Sequence, residues 1–126
     1  MKNNLKILLV ENNHLNQRLI RFILKMYNHE VDTANNGVEA IEKFRNFKYD
    51  LILMDVMMPV MDGIEATLKI RNIENTGNIE KRTSIVAINA NALNDERDLC
   101  LLAGMDEIIN KPFDIEKLES IINFKI

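Results

Sequence analysis

The sequence predicts an α/β domain in which a parallel β-sheet carries helices on both faces. Short apolar runs of strand length alternate with segments whose apolar residues recur at helical spacing, and each kind occurs five times. The most apolar run, residues 51–54, stops at the carboxylate of Asp55, and Pro59 and Gly63 then force the chain to turn. Strands that alternate with helices are joined by right-handed crossovers, which produce a parallel sheet.

The five predicted strands are short apolar runs bounded by turn residues. They span residues 5–10, 30–33, 51–54, 84–88 and 107–110. Asn35, Asn36 and Gly37 form a turn after the second strand, and the polar stretch 74–83 forms a loop before the fourth. An apolar run without alternation, as in 51–54, is typical of a strand that is buried on both faces.

The apolar periodicity also predicts which side chains of each helix face the sheet. The first helix runs to Tyr27 and is capped by Asn12 or Asn13, and the fourth, residues 94–103, is ended by Gly104. The predicted inward-facing side chains are Leu15, Leu19, Phe22, Ile23 and Met26 in the first helix, Val38, Ile41 and Phe44 in the second, Ile64, Leu68 and Ile73 in the third, Leu99 and Leu102 in the fourth, and Ile115, Leu118, Ile121 and Ile122 in the fifth.

Composition narrows the class of protein. A chain of 126 residues suits a single domain, 1–126, and 47% apolar with 28% charged residues is typical of a globular protein. A net charge of −3 offers no basic face for nucleic acid. Cys100 is the only cysteine, so an intramolecular disulfide is impossible and a reducing cytoplasm is favoured. No apolar run approaches the roughly 20 residues of a membrane span, so we expect no membrane contact by this domain.

Polar side chains follow two strands that are expected to be neighbours. Five strands favour the doubly wound, flavodoxin-like order 2-1-3-4-5, whose ligand crevice lies beside the carboxyl ends of the first and third strands. Glu11 and Asn12 follow the first strand, and Asp55 follows the third. The topology therefore brings residues far apart in sequence to one edge of the sheet, where they form a candidate site.

The sequence of residues 50–63, DLILMDVMMPVMDG, resembles the phosphoacceptor segment of response-regulator receiver domains of two-component signalling. The acidic end of the first strand, the Ala90-Asn91-Ala92 turn after the fourth and Lys111-Pro112 after the fifth extend the resemblance over the whole chain. The stretch from residue 10 to residue 17 is most similar to receivers of hybrid sensor histidine kinases. The resemblance implies a CheY-like fold with five helices.

The resemblance also implies a chemistry. Asp55 is the expected phosphoacceptor, because a carboxylate can attack a phosphoryl group and form an acyl phosphate. Lys111 is the expected phosphate contact, and the Lys111-Pro112 bond is expected to be cis. The expected ligands of a Mg²⁺ ion are Glu11, Asn12, Asp55 and the backbone carbonyl of Met57. In-line positioning and charge neutralisation suffice for such a transfer, so the domain is not expected to be an enzyme in its own right.

Three positions depart from the family pattern. The family has a second acid where this chain has Asn12, so the site has one negative charge fewer and we expect weaker Mg²⁺ binding. The family has Thr or Ser at the switch position, where Asn89 stands, and an aromatic residue or His where Ile108 stands. By the same resemblance, partner contacts are expected on the fourth helix, fifth strand and fifth helix, around Ile108 and Lys117.

The sequence therefore predicts a phosphorelay receiver that takes a phosphoryl group from a histidine kinase or histidine phosphotransfer protein. The alternative is a degenerate receiver that binds proteins whatever its phosphorylation state. A haloacid-dehalogenase-type phosphatase needs a second Asp where Met57 stands, and a flavin-binding protein needs a phosphate loop unlike residues 11–15. We expect a cytoplasmic monomer or weak dimer, either free-standing or the cytoplasmic part of a membrane-anchored hybrid kinase.

Overall fold

The computed structural model describes residues 4–77, 81–89 and 94–125, including all side chains in these ranges except those of Asn89, Asn94, Asp95 and Lys125. Ten elements alternate as predicted. They are β1 (Lys6–Val10), α1 (His14–Met26), β2 (Glu30–Ala34), α2 (Gly37–Asn46), β3 (Leu51–Asp55), α3 (Gly63–Thr76), β4 (Ser84–Asn89), α4 (Asn94–Ala103), β5 (Glu107–Asn110) and α5 (Ile115–Lys125). Within the described ranges, no helix has the length and apolar character needed to cross a membrane.

The five strands form one parallel sheet in the order β2-β1-β3-β4-β5, which confirms the predicted topology. In the register of this sheet, Val10 lies opposite both Ala34 and Met54, and Asp55 lies opposite Ile88. The carboxyl ends of β1 and β3 are therefore adjacent. The predicted loop 74–83 begins late, because α3 continues to Thr76, where the Gly77 N–H still donates to the carbonyl of Ile73.

Two apolar cores lie on opposite faces of the sheet. Successive residues of β3 point to opposite faces, so Ile52 and Met54 enter the core under α2, α3 and α4, and Leu51 and Leu53 enter the core under α1 and α5. All four side chains are fully buried. This double burial explains why the sequence of β3 is a continuous apolar run.

The inward face predicted for α1 is wrong for four of its five residues. Leu15, Leu19, Phe22 and Met26, hereafter the α1 stripe, are 57–73% exposed. Ile20 and Leu24 are buried instead, and Ile23 is half-buried. The helix carries two apolar stripes at helical spacing, and periodicity does not specify which of them the sheet covers.

The other helices show which predictions depend on side-chain size. Leu118 and Ile122 of α5 are buried, as predicted. On the opposite face Phe44 of α2 is buried, as predicted, and Ile70 of α3 is buried too, whereas Leu99 and Leu102 of α4, predicted to point inward, are exposed. Val38 and Leu68 are exposed in the same way. Smaller residues occupy further buried positions of these helices: Ala40, Ala66, Thr67, Cys100 and Ala103.

Candidate functional site

Asp55 ends β3 with its side chain almost wholly inside the protein. The residue is 2% exposed, and its Oδ1 accepts a hydrogen bond of 3.2 Å from the backbone N–H of Met57. The Nζ of Lys111, which follows β5, lies 3.3 Å from the same oxygen. A buried carboxylate at the carboxyl end of a central strand is thus held between one backbone donor and one ammonium group.

Glu11 supplies a second buried carboxylate to the same place. It follows β1, is 1% exposed, and its Oε2 accepts a long hydrogen bond of 3.4 Å from the N–H of Asn13. Among the residues that the structure describes, its Oε1 has no hydrogen-bond partner, and this oxygen lies 3.7 Å from Lys111 Nζ. Glu11, Asp55 and Lys111, hereafter the acidic cluster, therefore hold two carboxylates against one ammonium.

The electrostatics of the acidic cluster follow from burial. Loss of solvation raises the pKa of Asp55 to about 7, and the neighbouring carboxylate of Glu11 acts in the same direction. The Lys111 ammonium and the Met57 N–H oppose this rise in pKa. The cluster is therefore short of positive charge, a condition that a cation or an incoming group with polar hydrogens would relieve.

The loop after Asp55 turns sharply to return the chain to the sheet. Val60 has a φ of 72°, in the left-handed region that is rare for a β-branched residue. Gly63 packs so closely that a Cβ there would lie 2.4 Å from the carbonyl oxygen of Asp55, which only glycine allows. Asp62 then caps α3, because its Oδ1 accepts from the N–H of Glu65 at 2.9 Å.

The structure brings together three of the residues singled out in the sequence and leaves others apart. Asn12 and Met57 are exposed at the rim of the acidic cluster. Asn13, not Asn12, caps α1, since its Oδ1 accepts from the N–H of Asn16. The Lys111-Pro112 peptide bond is cis, as expected.

The two switch positions, Asn89 and Ile108, lie on the neighbouring strands β4 and β5. Asn89 ends β4 opposite Asn110, and its side chain lies outside the described residues, as do Ala90, Asn91 and Ala92. Ile108 is 1% exposed within the core under α2, α3 and α4. The side chain of Ile108 is therefore not itself part of a partner surface, because it faces a helical layer. The expected partner face on α4, β5 and α5, around Ile108 and Lys117, stays a prediction.

The residues present fit a hard divalent cation. In the ranges that the structure describes, no group of three or more His, Cys, Asp or Glu side chains is arranged to hold a metal. Mg²⁺ is nevertheless commonly held by one or two carboxylates, with water completing its six ligands. The two carboxylates of the acidic cluster match this need, and the unpartnered Glu11 Oε1 is a buried oxygen that a cation would satisfy.

Comparison with known proteins identifies the class to which this fold and site belong. A sequence profile of the response regulator receiver domain matches residues 7–123. The chain therefore belongs to the response regulator receiver domain family. Its relatives include histidine kinase 5 of Arabidopsis thaliana, with 40% identity over 93% of this chain, and hybrid signal transduction histidine kinase G of Dictyostelium discoideum, with 44% identity over 94%. The chain spans 15% and 3%, respectively, of the lengths of these relatives.

Solved structures give the same result. The receiver domain of Ssk1, crystallised with the histidine phosphotransfer protein Ypd1 of Saccharomyces cerevisiae, is 28% identical with a TM-score of 0.88, covering 98% of this chain and 89% of that one. The receiver domain of sensor histidine kinase PA1611 of Pseudomonas aeruginosa is 38% identical with a TM-score of 0.83, covering 95% of both chains. That structure holds a magnesium ion in its active-site cleft.

Two features of the site region were not predicted from the sequence. The exposed α1 stripe begins one turn from Glu11, and its signal was the surplus of apolar residues in α1 over what one buried face needs. Gln17 of α1 donates through Nε2 to the carbonyl of Glu11 at 2.9 Å and to Asn35 Oδ1 at 3.1 Å. No local sequence pattern predicts the contact with Asn35, because it joins residues that are 18 positions apart.

Proposed function

We propose that this receiver domain, acting as one unit over residues 1–126, accepts a phosphoryl group from a phosphohistidine onto Asp55. The observation that carries the proposal is the buried acidic cluster, in which Lys111 Nζ lies 3.3 Å from Asp55 Oδ1. Membership of the receiver family and the likeness to a receiver crystallised with a histidine phosphotransfer protein support it. The donor is a histidine kinase or a histidine phosphotransfer protein.

The transfer needs an ionised Asp55. Its carboxylate oxygen attacks the phosphorus, the new O–P bond forms, and the P–N bond to the donor imidazole breaks in line with it. The imidazole leaves with the electron pair of that bond and takes a proton from solvent. Lys111 neutralises negative charge on the phosphoryl oxygens, which replaces its interaction with the carboxylates. Since the pKa of Asp55 is raised to about 7, the charges that keep it ionised control the rate near neutral pH.

Mg²⁺ would be held by Asp55, Glu11, the amide oxygen of Asn12 and the backbone carbonyl of Met57. When bound, the ion supplies positive charge to the phosphoryl oxygens. Asn12 carries no charge, and charge count tunes the affinity for hard cations, so Mg²⁺ binds more weakly here than to a two-acid pair. Glu11, with its unpartnered and buried Oε1, makes up part of the deficit.

The conformational response to phosphorylation differs from that of family members with a hydroxyl and an aromatic ring. Asn89 offers an amide donor in place of the hydroxyl, and Ile108 has no ring to rotate. The second candidate function is a protein-binding module that works independently of phosphorylation, and the same two departures support it.

The surface that receives the donor protein is the α1 stripe. It exposes four large apolar side chains next to the acidic cluster, flanked by the exposed cations Arg18, Arg21 and Lys25, and α1 contains no acidic residue. An apolar groove rimmed by acidic side chains would complement it in shape and charge. The domain is cytoplasmic in this proposal, a monomer or weak dimer, and part of a hybrid kinase if the chain continues as its relatives do.

The test is the intact mass of the domain after incubation with acetyl phosphate, with and without Mg²⁺, using Asp55→Asn as the control. A Mg²⁺-dependent gain of one phosphoryl group in the wild type alone supports the proposal. No gain at any Mg²⁺ concentration, together with no transfer from a phosphorylated histidine phosphotransfer protein, would leave the phosphorylation-independent binding module.

A further inference from the structure

The turn of residues 35–37, hereafter the 35–37 turn, touches both loops that carry the acidic cluster. One loop follows β1 and contains Glu11, and the other follows β3 and contains Met57 and Met61. The turn joins β2 to α2 and contributes no side chain to the cluster.

On one side the 35–37 turn reaches the Glu11 loop through α1. The Nε2 of Gln17 donates 2.9 Å to the carbonyl oxygen of Glu11 and 3.1 Å to the Oδ1 of Asn35. The backbone N–H of Glu11 also donates 3.0 Å to the carbonyl of Ala34, the last residue of β2. The backbone N–H of Glu11 is thus bonded directly to β2. Its carbonyl is linked to the 35–37 turn through the side-chain amide of Gln17.

On the other side the 35–37 turn reaches the Asp55 loop through backbone alone. The N–H of Gly37 donates 3.1 Å to the carbonyl oxygen of Met61. A Cβ on Gly37 would lie 2.8 Å from that oxygen and 2.8 Å from Met61 Cγ, so the two backbones meet at a distance that only glycine permits. The loop after Asp55 is therefore fixed against the same turn.

The 35–37 turn is itself held by Glu39 in the first turn of α2. Glu39 Oε1 accepts from the backbone N–H and the Nδ2 of Asn35, both at 3.3 Å. In return the Oδ1 of Asn36 accepts from the Glu39 N–H at 3.0 Å, as an N-cap does. A turn fixed at its own ends transmits position from one loop to the other better than a loose one.

We infer that the 35–37 turn is a brace that sets the spacing between the Glu11 and Asp55 loops, with Gln17 as its positioning residue on the Glu11 side. Groups in the outer shell of a metal or phosphoryl site orient the groups that touch the ligand, and their loss is felt as weaker binding. The part of this inference that concerns Mg²⁺ rests on the proposed function. The part that concerns the loops does not.

The experiment compares Gln17→Met, Asn35→Ala and the double variant with the wild type. Met has nearly the length and helix propensity of Gln but neither N–H donor. Asn46→Leu is the matched control, because it removes the 2.8 Å hydrogen bond from Asn46 Nδ2 to the Glu42 carbonyl at the far end of α2. Two quantities are measured: amide hydrogen exchange of Glu11 and Gly37 without metal, and the dissociation constant for Mg²⁺ by calorimetry.

In Gln17→Met we expect the Glu11 and Gly37 amides to exchange about fivefold faster, the size expected for one lost hydrogen bond. Mg²⁺ affinity falls about tenfold. Asn35→Ala acts in the same direction, the double variant is no worse than the stronger single one, and Asn46→Leu changes neither quantity. This non-additivity is the signature of one shared element.

The inference is overturned if the two amides exchange as in the wild type in a folded Gln17→Met protein, or if Asn46→Leu speeds them equally. Asn35 is exposed, so Asn35→Ala decides the matter if Gln17→Met fails to fold. A wild type that binds no Mg²⁺ would count against the proposed metal site, and the exchange measurement would still decide on the brace.

Discussion

The two ends of the sheet both contain buried or partly buried charged side chains. The two groups differ in whether their polar atoms have hydrogen-bond partners. At the amino ends of β4 and β5, Arg71 donates to the carbonyls of Gly104 and Thr83 and to the carboxylates of Glu74 and Asp106, at 2.6–2.9 Å. The remaining carboxylate oxygens there also have partners: Glu74 accepts from the N–H of Thr83, and Asp106 pairs with Arg82. At the carboxyl ends, Glu11 Oε1 has no hydrogen-bond partner within the described ranges, and Lys111 Nζ lies 3.3 Å from Asp55 and 3.7 Å from Glu11.

The difference separates a structural network from a binding site. A polar network in which each member has its partners fixes the packing around it. A cluster with too many negative charges and an unpartnered oxygen is less stable than the fold could make it, and such local violations concentrate at functional sites. The contrast predicts that changes at the amino end lower stability, whereas changes at the carboxyl end raise stability or alter ligand binding.

The largest effect is expected at the amino end. Arg71→Met leaves Glu74 and Asp106 partly buried without their shared guanidinium, so the free energy of unfolding falls by about 3–5 kcal/mol. Urea unfolding followed by circular dichroism measures it. The folded fraction should still take a phosphoryl group from acetyl phosphate at the wild-type rate. A loss of stability below about 1 kcal/mol would show that the network contributes little.

At the carboxyl end, a substitution should change the free energy of unfolding in the opposite direction. The pKa of Asp55 is raised from 3.8 to about 7, so the folded protein binds more protons than the unfolded chain between these values. Its contribution to stability is fully present below pH 4 and is lost as pH rises through 7. In the presence of a chelator at pH 8, Asp55→Asn should therefore be more stable than the wild type. The shift in pKa corresponds to about 4 kcal/mol, and solvent screening reduces the expected difference to about 3 kcal/mol.

Below pH 4 that advantage of Asp55→Asn should vanish. Chemical denaturation of both proteins at pH 3.5, 6 and 8 gives the curve, and Asp50→Asn, outside the acidic cluster, is the control for general charge effects. A stability difference independent of pH would contradict the shifted pKa.

A smaller effect is expected from restoring charge at the rim. Asn12→Asp adds a carboxylate beside Glu11 and Asp55, so Mg²⁺ should bind about tenfold more tightly, a gain of about 1.4 kcal/mol. Calorimetric titration with Mg²⁺ measures the change. Asn13→Asp, whose side chain caps α1 instead, serves as the neighbouring control. Equal affinities in the wild type and Asn12→Asp would remove Asn12 from the metal site.

The smallest change in stability is expected on the α1 stripe. Phe22→Ser removes an exposed ring, so the free energy of unfolding should change by less than about 0.5 kcal/mol, whereas Ile20→Ala, in the core, should lower it by about 3 kcal/mol. Transfer from a phosphorylated histidine phosphotransfer protein should slow about tenfold in Phe22→Ser, because hot-spot aromatic side chains carry much of an interface's free energy. Phosphorylation by acetyl phosphate should be unaffected. Equal slowing with both donors would exclude a docking role.

The sequence predicted the architecture because its signals are local. Strand-length apolar runs gave the five strands, and the neighbouring carboxyl ends of β1 and β3 then brought Glu11 and Asp55 together. The helix faces were predicted correctly where one apolar stripe was present, as in α5, and in part in α2, where Phe44 is buried. In α1 and α4 the exposed leucines satisfied the same periodicity as the buried residues.

What could not be predicted depends on contacts between distant residues. The hydrogen bond from Gln17 to Asn35 and the three contacts of Arg71 with Thr83, Gly104 and Asp106 require the folded geometry, since no fixed spacing encodes them. Asn12 and Glu11 are adjacent in sequence, yet one is exposed and the other is 1% exposed. Side chains alternate in direction along a strand, so which of the two residues is buried depends on where the strand ends. That end is the part of an element that a sequence pattern specifies least well.

The exposure of the α1 stripe bears on how this domain behaves in a crowded solution. Leu15, Leu19, Phe22 and Met26 contribute nothing to the core, and polar residues at these positions would fold equally well. Selection for solubility alone would therefore remove them, because contiguous apolar surface promotes association. Their presence indicates a surface that spends part of its time covered. In isolation the domain should consequently self-associate at high concentration, and polar replacements along α1 should raise the concentration at which it stays monodisperse.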